Sequence, residues 1–232
     1  MFLHTIMMGM NPATIHQALT QKYGKFLEKL MERHADIEKA GKGNRGHGFD
    51  HDLLVAHYAL AIQEQRETAE ASWIASLLHS FDHFYGDAAE TEIMAMLEIA
   101  TTDLTEDTLQ DIASAVMLHS TKNDENDSMI KITLQDADRL ANIGGIVIIR
   151  SGQFRPTIPA CEIGRIGVKN PESTYKNPRS ILDDLRNCLS WESDPRFLIR
   201  LPKAIEIAKP QFAYLRAFLA HVESQFREIG LS

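Results

Sequence analysis

Only two cysteines, Cys161 and Cys188, occur in the 232 residues, and neither sits in a metal-ligand spacing or a disulfide framework. Thiolate metal clusters and a disulfide-stapled scaffold are therefore excluded, and a reducing, cytoplasmic setting is the simple reading. Basic charge is also short: 24 Lys and Arg stand against 32 Asp and Glu, a formal net charge of -8, with no basic run. Such a surface repels phosphate-rich polymers, so no nucleic-acid partner is expected. A small anionic ligand stays open, because a bound cation and a few local Arg or Lys side chains can outweigh diffuse negative charge. No stretch is long and apolar enough to span a bilayer, and no membrane partner is expected. The apolar start MFLHTIMMGM lacks the basic flank and cleavage site of a secretory signal. Residues 1–10 are read as a flexible leader, with Met8 and Met10 as alternative starts, and residues 11–232 as one domain. Internal repeats and low-complexity tracts are missing too.

Strand signals are equally scarce, whereas helical periodicity recurs along the whole chain. Asn11-Pro12 forms an N-cap with proline at the first helical position, and Ile15, Leu19, Phe26, Leu30 and Ile37 carry a helix to about Lys39, weakened at Gly24. The glycine-rich AGKGNRGHG, Ala40 to Gly48, reads as a loop that delivers a second helix from Phe49 to about Gln65. Further helices are expected at Ala69 to Phe84, Ala88 to Ile99, Thr105 to His119 and Ser128 to about Ile149. The β-branched run Ile146 to Arg150 directly continues the last of these and is read as helix. Pro156, Pro159, Pro171 and Pro178, with Gly152, Gly164 and Gly167, make Ser151 to Pro178 an irregular excursion. Helices at Pro178 to Trp191 and Asp194 to Ile229 follow, the second interrupted or kinked at Pro202 and Pro210. The expectation is an all-α bundle with an irregular loop region before its C-terminal helices.

Ten histidines are present, and three segments place them, or paired aspartates, on helices. In HGFDHDLLVAHYA, His51 lies in the first helical turn between Asp50 and Asp52, and shares a face with Val55. His57 points elsewhere. In SWIASLLHSFDHF, the apolar Ile74, Leu77 and Leu78 carry His79 inward, with Asp82 and His83 at i+3 and i+4. In MIKITLQDADRLANIGG, Asp136 and Asp138 lie in an apolar-patterned helix, where buried carboxylates need a cation or an ion pair such as Arg139. Residues two apart on a helix point about 200° apart, so these two aspartates are expected to do different jobs, with Asp138 the ligand and Asp136 the alternative. His119, in MLHSTKN, adds a further ligand or phosphate contact. Taken singly, each cluster also reads as ordinary structural histidines or ion pairs.

Together, histidine, histidine and aspartate on successive helical elements resemble the HD superfamily of metal-dependent phosphohydrolases. The likeness is greatest to bacterial HD-domain nucleotide phosphohydrolases, including pyrophosphohydrolases, which pair a D-H-x-x-x-V helix, here Asp50, His51 and Val55, with a Q-D-A-D-R-L segment, here Gln135 to Leu140. It covers about Gly46 to Arg150 and implies an HD-domain helical bundle. By position, His51, His79 and Asp138 match the metal ligands. One departure is plain: His79 is followed by Ser80 where the family has aspartate, and a hydroxyl is a poor ligand for a hard divalent cation. Asp82, about 60° from His79 on a continuous helix, is a candidate replacement.

The resemblance implies a divalent-metal cofactor (Mn, Fe, Ni, Co, Zn or Mg) and hydrolysis of a small phosphorylated substrate, a nucleotide in the closest subgroup. Asp82, His83, His119, Lys122, Arg139 and Arg150 are the candidates for phosphate contact or proton transfer. Two alternatives stand beside this reading: a non-catalytic HD-fold protein that binds a metal or small ligand, and a helical scaffold whose histidines are all structural.

Overall fold

A computed structural model describes residues 11–41, 46–63, 65–100 and 104–231. The leader read at 1–10 and most of the glycine-rich loop lie outside the described residues. Eleven α-helices are labelled here: α1 Pro12–Lys22, α2 Gly24–Lys39, α3 Phe49–Ile62, α4 Ala69–Leu78, α5 Phe81–Tyr85, α6 Ala89–Ala100, α7 Glu106–Leu118, α8 Met129–Ala141, α9 Gly144–Phe154, α10 Ile181–Cys188 and α11 Pro202–Glu228. No strand occurs among the described residues. The fold is all-α.

Side-chain caps start the helices where the sequence placed them. Asn11, Thr105 and Ser128 accept from the backbone N–H groups of Thr14, Thr108 and Lys131 at the heads of α1, α7 and α8, satisfying donors that have no intrahelical partner.

At the centre lies α4, packed between α3, α7 and α8. Its sequence AEASWIASLL is buried all round, as suits a helix surrounded by others. Trp73, Ile74, Leu77 and Leu78 are fully buried, each stabilising the fold by roughly 1.5–3 kcal/mol. The last helix, α11, lies against α8, α9 and α3, so the C-terminal part of the chain closes over the same core.

Four expected helices differ in their course. The first breaks at Tyr23, giving α1 and α2. The helix expected through Phe84 ends at Leu78; His79 and Ser80 form the corner before α5. The helix expected from Ser128 to Ile149 divides at Asn142 and Ile143, because Gly144 takes a left-handed φ of 73°. A side chain there would be strained and its Cβ would fall 2.1 Å from Gln211 Oε1. The expected final helix starts only at Pro202, in its favoured first-turn position, and continues through Pro210 without interruption.

Candidate metal centre

Three imidazoles meet beside the central helix. His47 precedes α3, whose N-cap is Gly48; His51 sits in the first turn of α3; His79 caps the C-terminus of α4. One nitrogen from each lies within 4.8 Å of the others. From α8, Asp138 reaches the same point, its Oδ1 3.4 Å from His51 Nε2 and 3.8 Å from His79 Nε2. Asn142 Nδ2 donates to Asp138 Oδ1 at 2.8 Å and holds the carboxylate in place.

His79 is oriented by its own helix. Its Nδ1 lies 2.7 Å from the Ser76 carbonyl oxygen. A carbonyl only accepts, so Nδ1 carries the proton and Nε2 presents a lone pair. That Nε2, and both ring nitrogens of His51, are buried with no hydrogen-bond partner. An unpaired buried polar atom costs about 1–3 kcal/mol, so a cluster of them facing one carboxylate lacks its natural occupant. Three nitrogens and one carboxylate oxygen suit a divalent transition cation and leave coordination positions free.

Protonation suits the same occupant. Burial lowers the His51 imidazole, and burial together with neighbouring imidazoles lowers that of His47. His79 is drawn down from 6.5 to about 4, mainly by burial. Burial pushes the Asp138 carboxyl the other way, but the His51 hydrogen bond and the surrounding imidazoles hold it well below the usual carboxylate range. Neutral imidazoles and an ionised carboxylate are the forms that ligate a cation.

Behind the imidazoles lies Asp52, the residue after His51, fully buried. Its Oδ1 accepts from Ser80 Oγ at 2.5 Å and lies 3.4 Å from His79 Nδ1. Its Oδ2 is 3.2 Å from Nε2 of His34, which α2 delivers on its buried face with Phe26, Leu30 and Ile37. Ser80 Oγ is also 3.4 Å from His47 Nδ1. A carboxylate therefore stands near the corner where Ser80 occurs, supplied by α3.

Asp82, His83 and His119 form a second group, with one atom of each within 4.8 Å of the others. The corner at Ser80 ends the continuous helix on which Asp82 would have shared a face with His79. Instead Asp82 lies 3.8 Å from His119 Nδ1 and 3.7 Å from His83 Nε2.

Other candidates sit elsewhere. Both backbone N–H groups leading into α11, those of Arg200 and Leu201, donate to Asp136 Oδ2 at 2.8 and 2.7 Å, and Arg139 approaches its other oxygen at 3.3 Å. Asp136 thus joins α8 to the start of α11, outside both groups. Arg139 also donates to the Leu198 carbonyl and Asn123 Oδ1, a structural role distinct from the one expected of it. Lys122 is exposed, and its charge acts on Asp194. Arg150 donates to the Ala141 carbonyl, Asn142 Oδ1 and the Gly46 carbonyl, tying the His47 segment to α9. With Arg155 and His47 it lines a small cavity of about 30 Å³.

No protein-family model matches the chain, and no curated protein matches its sequence. Solved structures do match. A protein of Lactobacillus plantarum aligns with TM-score 0.65 and 20% identity over 90% of this chain and 97% of that one. An HD-superfamily hydrolase of Bacillus thuringiensis aligns with TM-score 0.61 and 19% identity over 89% of this chain and 98% of that one. The chain has the HD-domain fold.

Within the HD-domain fold, sequence reasoning missed His47, His34 and Asp52 as parts of the site. His47 had a usable signal, the i, i+4 spacing to His51. Gly46 had another: a Cβ there would meet Phe154 Cβ at 2.7 Å, so only glycine lets the segment pack against α9. His34 and Asp52 had none beyond a polar residue at a buried helical position.

Proposed function

We infer that the protein is a divalent-metal-dependent phosphohydrolase whose centre is His47, His51, His79 and Asp138. The observation that supports this most is the set of buried, partnerless nitrogens of His51 and His79 gathered against the Asp138 carboxylate. The match to a protein described as an HD-superfamily hydrolase supports the reaction class. The substrate is a small phosphorylated molecule, a nucleotide by the resemblance of Asp50, His51, Val55 and Gln135 to Leu140 to the nucleotide-hydrolysing subgroup. Its place is the cytoplasm.

A bound cation would polarise a phosphoryl oxygen and acidify water at the site. The chain's own groups do the rest. His79 is held in one tautomer by the Ser76 carbonyl and His119 by the Val116 carbonyl, so each presents a fixed face to the cleft. Arg150 and Arg155 set positive charge beside His47, where phosphate oxygens need it. His83, half-exposed at the rim, is placed to pass a proton between the cleft and solvent.

The test is phosphate or pyrophosphate release from a panel of nucleotides with Mn, Co, Ni, Fe, Zn and Mg in turn. Activity in the native protein that falls at least 100-fold in His51→Gln and Asp138→Asn supports the reading. One observation favours a second reading, in which the centre binds a metal or small ligand without hydrolysis: Ser80 stands at the aspartate position of the family and donates its hydroxyl to Asp52. Native protein inactive with every metal and nucleotide, yet holding metal, would select it.

A further inference from the structure

We propose that Asp82, His83 and His119 form a second divalent-cation site abutting the first, so that the cleft holds a pair of cations. The Asp82 carboxylate and one nitrogen of each histidine lie within 4.8 Å of one another, the spacing a single ion spans. The two residues of α5 and the one after α7 meet there only because the corner at His79 and Ser80 turns α5 across the end of α7.

Three independent features point to a cation rather than to a hydrogen-bonded cluster. First, Asp82 Oδ1 is buried with no hydrogen-bond partner, although its carbon skeleton is near two imidazoles. A buried carboxylate oxygen left unpaired is costly, and a cation compensates it directly. Second, His119 repeats the device seen at His79. It follows the last residue of its helix, its Nδ1 lies 2.7 Å from the carbonyl oxygen three residues back, at Val116, and the lone pair is thereby assigned to Nε2. A backbone carbonyl on the second ring nitrogen is how ligating histidines are held. Third, the two clusters touch. Ring centroids of His47 and His83 are 4.7 Å apart, and those of His79 and His119 are 5.5 Å apart.

Two nitrogens and one carboxylate oxygen suit Mn, Fe, Co, Ni or Zn and leave the remaining positions to water or to substrate oxygens. Adjacent cations about 3.5–4 Å apart clamp the attacking and leaving oxygens of a phosphoryl displacement. The occupancy of the second site stands on its own observations; only this catalytic consequence rests on the phosphohydrolase reading above.

The experiment is metal stoichiometry of the full chain, stripped with chelator, dialysed to equilibrium against Mn and separately against Co, and assayed by elemental analysis. Native protein is expected to hold two equivalents. Asp82→Asn and His83→Gln should each hold one, and so should Asp138→Asn. Paired Mn ions should further show exchange-coupled electron paramagnetic resonance that both sets of variants abolish. His83 is 42% exposed at its side chain, so its substitution tests the site even if Asp82→Asn unfolds. One equivalent in native protein, lost in Asp138→Asn and kept in Asp82→Asn and His83→Gln, overturns the second site and leaves the first. One equivalent with the opposite pattern supports the second site and sinks the first. No bound metal overturns both.

Discussion

Ser80 Oγ donates to Asp52 Oδ1 at 2.5 Å across the junction of α3 and the corner after α4. The serine follows the His79 ligand in sequence, and the aspartate follows the His51 ligand. The pair thus locks together the two backbone segments that aim the central imidazoles, and Asp52 extends the lock to His34 on α2.

Removing either partner should reveal this coupling. Ser80→Ala leaves Asp52 Oδ1 without its donor and is expected to cost about 1–3 kcal/mol. Asp52→Ala breaks a buried network and is expected to cost about 3–5 kcal/mol. Urea unfolding of both variants and the double variant closes the cycle. A double-variant loss equal to the sum of the single losses would show that the hydrogen bond contributes nothing.

Exchanging the two residues separates position from chemistry. Ser80→Asp alone sets a second carboxylate against fully buried Asp52, and like charges at that distance should lower the melting temperature of metal-free protein. The exchanged variant, carrying both Ser80→Asp and Asp52→Ser, restores one carboxylate and one hydroxyl. It should recover most of the lost melting temperature and bind Mn at least as tightly as native protein. Failure of the exchange to improve on Ser80→Asp alone would mean that Asp52 is required at its own position.

Asp136 and Asp138 should separate cleanly, being two residues apart on α8 with unrelated partners. Asp136→Ala removes the acceptor of the Arg200 and Leu201 N–H groups and leaves Arg139 buried without its carboxylate. It should lower stability by about 3 kcal/mol or more while leaving metal stoichiometry unchanged. Asp138→Ala should lose the first-site metal with a smaller stability change. The reverse pattern would reassign the ligand.

Acid should destabilise the metal-free protein in a defined window. The folded state depresses His79 from 6.5 to about 4, so the unfolded chain binds the proton first. The contribution to stability is full above pH 6.5 and is lost as pH falls toward about 4, on the order of 3 kcal/mol in total. His47 and His51, also depressed, act in the same direction. Urea midpoints measured from pH 7 to pH 4 should fall more steeply for native protein than for His79→Gln. Equal slopes would show that His79 does not carry this dependence.

The sequence by itself determined the all-α class, the positions of most helix starts and the three residues His51, His79 and Asp138. These are local properties: capping side chains, apolar periodicity and motif spacing are all written within a few turns of chain. Tertiary structure decided the rest. The corner at His79 and Ser80 could not be read from a segment whose apolar pattern continues into Phe81 and Phe84, yet it moves Asp82 and His83 from the His79 group to His119. Asp52 looked like one acidic residue in a helix N-terminal turn, a place where negative charge is ordinary. Only the approach of α2 and α4 to α3 makes it fully buried and gives it Ser80 and His34 as partners. Partners this far apart along the chain are chosen by helix packing, and packing direction is not a local property of either segment.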